Sequence, residues 1–210
     1  MHFAKSGKLI FKSIVAVTFA YFFFLMVRIT LDYVPADSNV SFLMIKQTEV
    51  TRRPGYLPIF YIHVYSSIFA LMAGFIAVFF DKNLKYLHRF SGRIYVFISL
   101  FLSSLSGIYI GFFANGGTIA KTSFVLLGIS WFYTTYRSYR EIRNKNVQRH
   151  KIWMWRSYAL AVSAITLRMW KVILVYLFDP NPMDVYQIIA WLGWIPNILL
   201  VEYIIKKQNL

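Results

Sequence analysis

Long runs of apolar residues dominate the 210-residue sequence and restrict what it can fold into. The hydrocarbon core of a bilayer is about 30 Å thick, which requires about 20 apolar residues in an α-helix. The stretches that approach this length, called segments one to six in chain order, cover residues 9–27, 58–80, 94–114, 119–139, 152–178 and 185–205. The sequence therefore predicts an all-α fold, a polytopic membrane bundle of six transmembrane helices that forms a single domain over residues 1–210.

The composition supports the same class. Hydrophobic residues make up 58% and charged residues 15% of the chain, whereas soluble domains are about half apolar and about a quarter charged. A soluble domain of this length could not bury so much apolar surface. Because the sequence contains 0 cysteines, it excludes disulfide bonds, thiolate metal sites and cysteine nucleophiles.

Lysine and arginine are concentrated on one side of the predicted bundle. Of the 23 basic residues, 16 flank the segments on that side, namely Lys5, Lys8, Lys12, Lys82, Lys85, Arg89, Arg93, those between 137 and 156, Lys206 and Lys207. Cytoplasmic loops carry such an excess, so we expect both termini in the cytoplasm (N-in, C-in). The net charge of +15 is then mainly topological, and we expect the lipid bilayer as a partner and no nucleic acid.

The connections on the other side are an outer loop and two turns. The loop covers residues 31–57 and has room for a short interfacial helix. Residues 115–118 and 179–184 are rich in Gly, Pro and Asp, which is typical of tight turns. With so little chain outside the bilayer, we expect the function to lie inside the bundle or at its two faces.

Segment five carries the clearest pattern of polar residues. His150 and Arg168 are 18 residues apart, which is about five turns of an α-helix. An unbroken helix would place both on one face. An arginine at membrane depth is rare and usually faces the bundle interior or a water-filled cavity. The alternative is that Arg168 and Lys171 extend to the outer headgroups.

Two layers of polar residues follow from this arrangement. The inner layer contains His88, Arg89, Arg93, Arg149, His150, Arg156 and Glu202, and Glu202 is placed to neutralise Arg93 or Arg156. The outer polar site combines His63 with Arg168, with Thr166 and Lys171 as further candidates. Small residues at four-residue spacing in segment two put His63 on a face that points toward protein rather than lipid.

The inner layer has the residue types of a haem site. Two neutral imidazoles on facing helices can ligate one haem iron, and basic side chains suit the propionates. We therefore predict haem b with His88 and His150 as iron ligands. Arg89, Arg93, Arg149 and Arg156 are the candidate propionate partners. Such a protein would be a transmembrane redox protein, with a quinone or another redox partner.

Other interpretations stay open. Intramembrane ionisable residues also mark transport pathways, so the outer site could belong to a transporter or binding protein for a small anionic solute or lipid headgroup. The His-Arg pairs could equally be interfacial anchors, and a role in membrane assembly or interaction fits as well. The sequence has no H-E-x-x-H motif, no paired carboxylates and no nucleophile–base set, so nothing assigns it to the hydrolases or transferases.

Several motifs resemble a bacterial family of predicted membrane proteins, domain of unknown function 2306. They are the run from Tyr61 to His63, H-R-x-x-G-R-I-Y over 88–95, R-H-x-x-W-M-x-R-S-Y-A-L over 149–160, the run from Thr166 to Trp170, and W-x-x-N over 194–197. The resemblance covers roughly residues 55–205. It implies one multi-spanning domain in a bacterial inner membrane, and it implies no established activity.

A more distant likeness is to two-haem transmembrane cytochromes b of the ascorbate-reducing type. Those proteins carry one ligand histidine on each of four consecutive helices, pairing the second with the fourth and the third with the fifth. His88 and His150 match the third–fifth pair by helix order, and His63 matches the second helix. Because segment four has no histidine, the likeness implies at most one haem.

Overall fold

The computed structural model describes residues 2–80 and 84–207. Within this part of the chain all regular secondary structure is helical, which confirms the all-α class. The α-helices are α1 (His2–Leu31), α2 (Gln47–Arg52), α3 (Tyr56–Phe79), α4 (Lys85–Ile98), α5 (Ser104–Gly111), α6 (Gly117–Arg143), α7 (Val147–Ala161), α8 (Ser163–Phe178), α9 (Pro182–Leu192) and α10 (Ile195–Lys207). A 3-10 helix (Ser41–Lys46) precedes α2, and a π-helical turn (Ser99–Ser103) joins α4 directly to α5.

Four helical stretches are long and apolar enough to cross a membrane. They are Ser13–Leu31, Tyr56–Phe79, Lys85–Gly111 and Pro182–Lys207. The helices α7 and α8 pass the same test only as a pair, so the described residues contain four or five candidate spans. The multi-pass membrane class is confirmed, and segment four is the predicted span that does not reach this set.

Segment four corresponds to α6, which is long enough to cross a bilayer but rich in polar residues. Its 27 residues reach about 40 Å. Its buried polar side chains are Ser123, Thr134, Thr135, Ser138 and Glu141. These side chains are enclosed because α6 packs against α5, α7 and α9. The opposite face of α6 exposes apolar side chains such as Leu126, Ile129 and Phe132, so its buried polar groups are confined to the face that packs on protein.

The interior of the bundle lies between α3, α4, α6 and α7. Gly74 of α3 is a point of close approach, since a Cβ atom there would lie 2.5 Å from the ring of Tyr158 and 2.8 Å from that of Tyr95. The small-residue face predicted for segment two is therefore a packing face. By contrast, α1 lies at the edge and packs on α3 and α8 through one side, with Met26 its buried residue.

The prediction that segment five is an unbroken helix is wrong. Its two parts, α7 and α8, are bent by 40° at Val162. No proline or glycine lies at the break. Instead, the Nδ2 of Asn197 in α10 donates to the Ala159 carbonyl at 3.2 Å and to the Thr166 Oγ1 at 2.9 Å. We attribute the bend to this side chain, which inserts where the helical ladder is interrupted.

The two ends of the bundle differ in charge. The basic end is where α4 and α7 begin and where α6 and α10 end, with residues 85–93, 137–156 and 206–207. Lys82 and the side chains of Lys5, Lys8 and Lys12, which the charge count assigned to the same side, lie outside what the structure describes. The loop end carries residues 32–55 and the turns at 112–116 and 179–181.

The loop over residues 31–57 contains the expected short helices and is fastened to the bundle. Lys46 is 2% exposed. Its ammonium donates to the Phe113 carbonyl at the end of α5 and to the Glu49 carboxylate. A buried lysine is tolerated because it is paired.

Candidate functional site

The structure brings His88 and His150 together at the basic end. Each is the fourth residue of its helix, α4 and α7 respectively. Their ring centroids are 6.5 Å apart and the ring planes make an angle of 81°. Helices α3, α4, α6 and α7 all contribute to this position, because each imidazole is held by a neighbouring helix.

Both imidazoles are held through Nδ1. The Nδ1 of His88 lies 2.7 Å from the Ala77 carbonyl of α3, and the Nδ1 of His150 lies 2.9 Å from the Ser138 carbonyl of α6. A carbonyl only accepts, so each Nδ1–H donates and the lone pair of the neutral ring is on Nε2. Metal-ligating histidines are oriented in the same way, with the second nitrogen donating to a carbonyl or carboxylate.

The imidazole pair by itself is not a site for a bare metal ion. Within residues 2–80 and 84–207 no group of three or more His, Asp or Glu side chains could hold a metal, whereas a zinc site usually takes three or four protein ligands. Haem iron needs only axial ligands from the protein. The two rings meet edge to face, and the cavities of the basic end are lined by other residues, so the pair supplies the ligand type of a haem without placing an ion between the rings.

The four arginines predicted to bind propionates are dispersed around this pair. Arg89, Arg93 and Arg149 have exposed side chains. Arg156 is bound by Glu202 of α10, with contacts of 2.5 and 2.9 Å, which confirms one of the two ion pairs expected for that acid. Arg149 and Arg156 lie about 100° and 120° around α7 from His150, and Arg89 and Arg93 lie about 100° and 140° around α4 from His88, so none of the four shares the helix face of an imidazole.

A buried hydroxyl network lies directly behind the imidazole pair. Tyr95 and Ser157 are each seven residues beyond a histidine, or about 10 Å deeper in the bundle, and their oxygens are 2.6 Å apart. Trp131 of α6 donates its indole N–H to the Tyr95 hydroxyl at 3.0 Å. Thr135 bonds to Ser157 at 2.6 Å. The network connects α4, α6 and α7, three of the four helices that carry or hold the histidines.

The polar residues continue into the half of the bundle nearest the loop end. Ser99 is 0% exposed, and its Oγ has no partner among the described residues. It opens the π-helical turn, a feature frequently found at functional sites. Beyond it, Ser103 bonds to Ser66 at 2.8 Å, and the Ser103 carbonyl accepts from the Nδ1 of His63 at 2.9 Å.

The residues of the predicted outer site lie in the same half of the bundle, and Arg168 is near enough to act on His63 electrostatically. His63 faces α5, as expected, and a Cβ atom at Gly107 would lie 3.0 Å from its Cε1. Arg168 follows the bend, has an exposed side chain and donates to the Ala164 carbonyl of its own helix at 2.8 Å. No hydrogen bond joins His63 to Arg168 within the described chain. The side chain of Thr166 is engaged with the Gly193 carbonyl and Asn197, and Lys171 is exposed.

Sequence reasoning missed the contribution of α6. Trp131, Thr135 and Ser138 are spaced by four and three residues, so they share one face of the helix. Their spacing was the signal that could have revealed this face. The search for ligands considered histidines first, and α6 contributes hydroxyl, indole and carbonyl groups but no imidazole. The polar face of α6 was therefore overlooked.

The motif residues that tie the bundle together lie in the part of the chain matched by a known family. A family model described as Predicted membrane protein (DUF2306) matches residues 60–205. No curated protein and no solved structure matches the chain. The likeness to cytochromes b, which rests on helix order and residue type, stays a prediction.

Proposed function

The chain belongs to the DUF2306 family of predicted membrane proteins, and for this member we propose a role as a haem-b-binding transmembrane redox protein. In this proposal His88 and His150 would hold the haem iron. The observation that carries it is the imidazole pair, whose ring centroids are 6.5 Å apart in an edge-to-face contact and whose Nδ1 atoms are both held by backbone carbonyls. When bound, the haem supplies one-electron oxidation and reduction.

The chain's own residues fix the position and protonation of the ligands. Because α3 and α6 accept the Nδ1 protons, both rings present Nε2 as a neutral donor. The network of Tyr95, Ser157 and Trp131 behind the pair is closed by hydrogen bonds, which limits water entry from the middle of the bundle. Exposed Arg89 and Arg93, on the same helix as His88, are the proposed partners for carboxylates at the basic end.

We further propose six spans, with α6 as the additional one and both termini in the cytoplasm of a bacterial cell. The length of α6, its exposed apolar face with Leu126, Ile129 and Phe132, and the accumulation of Lys and Arg at one end support this topology. The imidazole pair then lies near the cytoplasmic face of the inner membrane. A quinone in the bilayer or a redox protein in the cytoplasm is the electron partner that suits this depth.

An absorption spectrum tests the haem proposal. We expect protein purified in detergent from haem-replete cells to show a reduced-minus-oxidised haem b band. The band should be lost in His88→Ala and in His150→Ala. If these variants fold, added imidazole should restore part of the band by occupying the space of the missing ring. A colourless wild-type preparation would overturn the proposal.

The lack of cysteine makes a labelling test of the topology direct. Single cysteines at exposed positions of the two ends, Asn39→Cys and Asn144→Cys, report on opposite sides. We expect a membrane-impermeant maleimide to label the first in intact cells and the second only after permeabilisation. Labelling of both from the same side would contradict the six-span arrangement.

A further inference from the structure

A second cavity at the basic end lies on a different side of α7 from the histidine pair. It has a volume of about 310 Å³, and its lining consists of Arg137, Arg149, Ile152, Trp153, Arg156 and Ile205. A neighbouring cavity of about 300 Å³ shares Arg149 and Ile152. The two form an open site between the end of α6, the start of α7 and the end of α10. Three cationic side chains next to apolar walls are suited to an amphiphilic anion.

The centre of this cavity is a tryptophan held between two guanidinium groups. The Trp153 ring centroid is 4.8 Å from the guanidinium carbon of Arg137 and 4.6 Å from that of Arg156. Both separations are within the range of a cation–π interaction. Arg137 also donates to the Tyr133 hydroxyl at 3.1 Å. These contacts hold both guanidinium groups close to the ring before any ligand arrives, which reduces the entropic cost of binding.

The side chains around the cavity carry more positive than negative charge, which favours binding of an anion. Glu141 pairs with Arg137 at 3.4 Å, and Glu202 pairs with Arg156. The side chain of Arg149 forms no ion pair with the described residues, so one positive charge is in excess. Arg137 also has a buried Nε–H that lacks an acceptor within the same part of the chain. Leaving such a donor unpaired is costly, and an oxygen of a bound anion would satisfy it.

We propose that this cavity binds a phosphate group through Arg149, Arg137 and Arg156, with the Trp153 face beside it. Arginine is the preferred residue for phosphate because its planar fork presents several donors at once. Basic pockets between transmembrane helices are typical of sites for anionic headgroups. The phosphate is carried by an anionic phospholipid or is free in solution, and Ile152 and Ile205 provide the apolar surface that an acyl chain would contact. The inference does not depend on the haem proposal.

Titration of the purified protein in neutral detergent tests the site. The probes are short-chain phosphatidylglycerol, short-chain diacylglycerol and inorganic phosphate, with calorimetry as the readout. We expect Arg149→Ala to weaken binding of phosphatidylglycerol about fivefold, the effect of one surface cation near an anionic headgroup. Arg143→Ala is the matched control, because Arg143 is an exposed arginine of the same end that does not line the cavity.

The arms of the titration separate the two sources of phosphate. Tighter binding of phosphatidylglycerol than of inorganic phosphate assigns the site to a lipid. Equal, Arg149-dependent binding of inorganic phosphate assigns it to the free ion. Equal weakening by Arg149→Ala and Arg143→Ala would overturn the site, because the attraction would then be a property of the whole basic surface. Equally tight binding of diacylglycerol would overturn it too.

Fluorescence quenching locates the ligand independently of affinity. Phosphatidylglycerol brominated on the acyl carbons nearest the headgroup should quench the wild-type protein more than Trp153→Phe. Trp155→Phe is the control, since Trp155 packs against Phe79 on another side of α7. An unchanged quenched fraction in Trp153→Phe would place the headgroup elsewhere and overturn the proposal.

Discussion

His88 at the basic end and His63 in the half nearest the loop end are held in the same way but face different neighbours. Each lies next to a main-chain carbonyl at its Nδ1, that of Ala77 or that of Ser103. His88 faces the imidazole of His150, whereas His63 packs on Gly107 and lies 3.3 Å from the Ser106 hydroxyl. A fixed tautomer alone is therefore not evidence for a cofactor, and the group opposite the ring makes the difference.

The largest expected effect is the difference in haem content between a variant that lacks His63 and a variant that lacks His150. Because His63 has no second imidazole opposite it, His63→Ala should retain the haem b band of the wild type. His150→Ala should lower haem content at least about tenfold, the consequence of losing about 1.4 kcal/mol or more of ligand binding. Haem-to-protein ratios of the two purified variants make the comparison. Loss of the band in His63→Ala alone would mean that the haem is bound in the half nearest the loop end and not at the basic end.

Hydrogen bonding in the two halves should differ in strength. Tyr95→Phe leaves the indole N–H of Trp131 and the hydroxyl of Ser157 short of a partner, and should destabilise the protein by about 1–3 kcal/mol. Ser66→Ala removes one interhelical hydroxyl bond near His63 and should cost about 0.6 kcal/mol. Unfolding in mixed micelles of dodecyl sulfate and maltoside, followed by circular dichroism, gives both values. Equal losses of stability in the two variants would mean that the Tyr95 network contributes no more than a single hydroxyl–hydroxyl hydrogen bond.

Two glycines test the packing around the histidines. A Cβ atom at Gly107 would lie 3.0 Å from His63, whereas at Gly92, one turn from His88, the nearest contact is Ala77 at 4.0 Å. Gly92→Ala should therefore be neutral or stabilise by up to about 1 kcal/mol through helix propensity. Gly107→Ala has the same gain in helix propensity, but the new methyl group would displace the His63 imidazole. The displacement costs more than the gain, so the variant should be less stable by about 1 kcal/mol. The same unfolding assay decides, and stabilisation by Gly107→Ala would show that the imidazole moves freely.

The sequence predicted what depends on local periodicity and missed what depends on distant contacts. Apolar runs located the helices to within a few residues at most ends, although α4 and α7 extend further into the basic segments than hydropathy indicated. The bend at Val162 could not be anticipated, because its cause, Asn197, is 38 residues beyond Ala159. The association of His63 with Arg168 also depends on distant contacts, and it stays a prediction. The proximity of His88 to His150 could be predicted from the sequence, because both residues lie at the starts of helices.

The smallest expected effect is at Ser99, where the two halves join. Its hydroxyl is buried without a partner, so Ser99→Ala removes an unsatisfied polar group and should change stability by less than about 0.5 kcal/mol or increase it slightly. Ser103→Ala, in the same π-helical turn, breaks the bond to Ser66 and serves as the comparison. A loss above about 1 kcal/mol in Ser99→Ala would mean that the hydroxyl has a partner, for which a water held in the π-helical turn is the natural candidate. That water would then link Tyr95 to Ser103 and His63. The polar residues of the two halves would form one continuous hydrogen-bonded path.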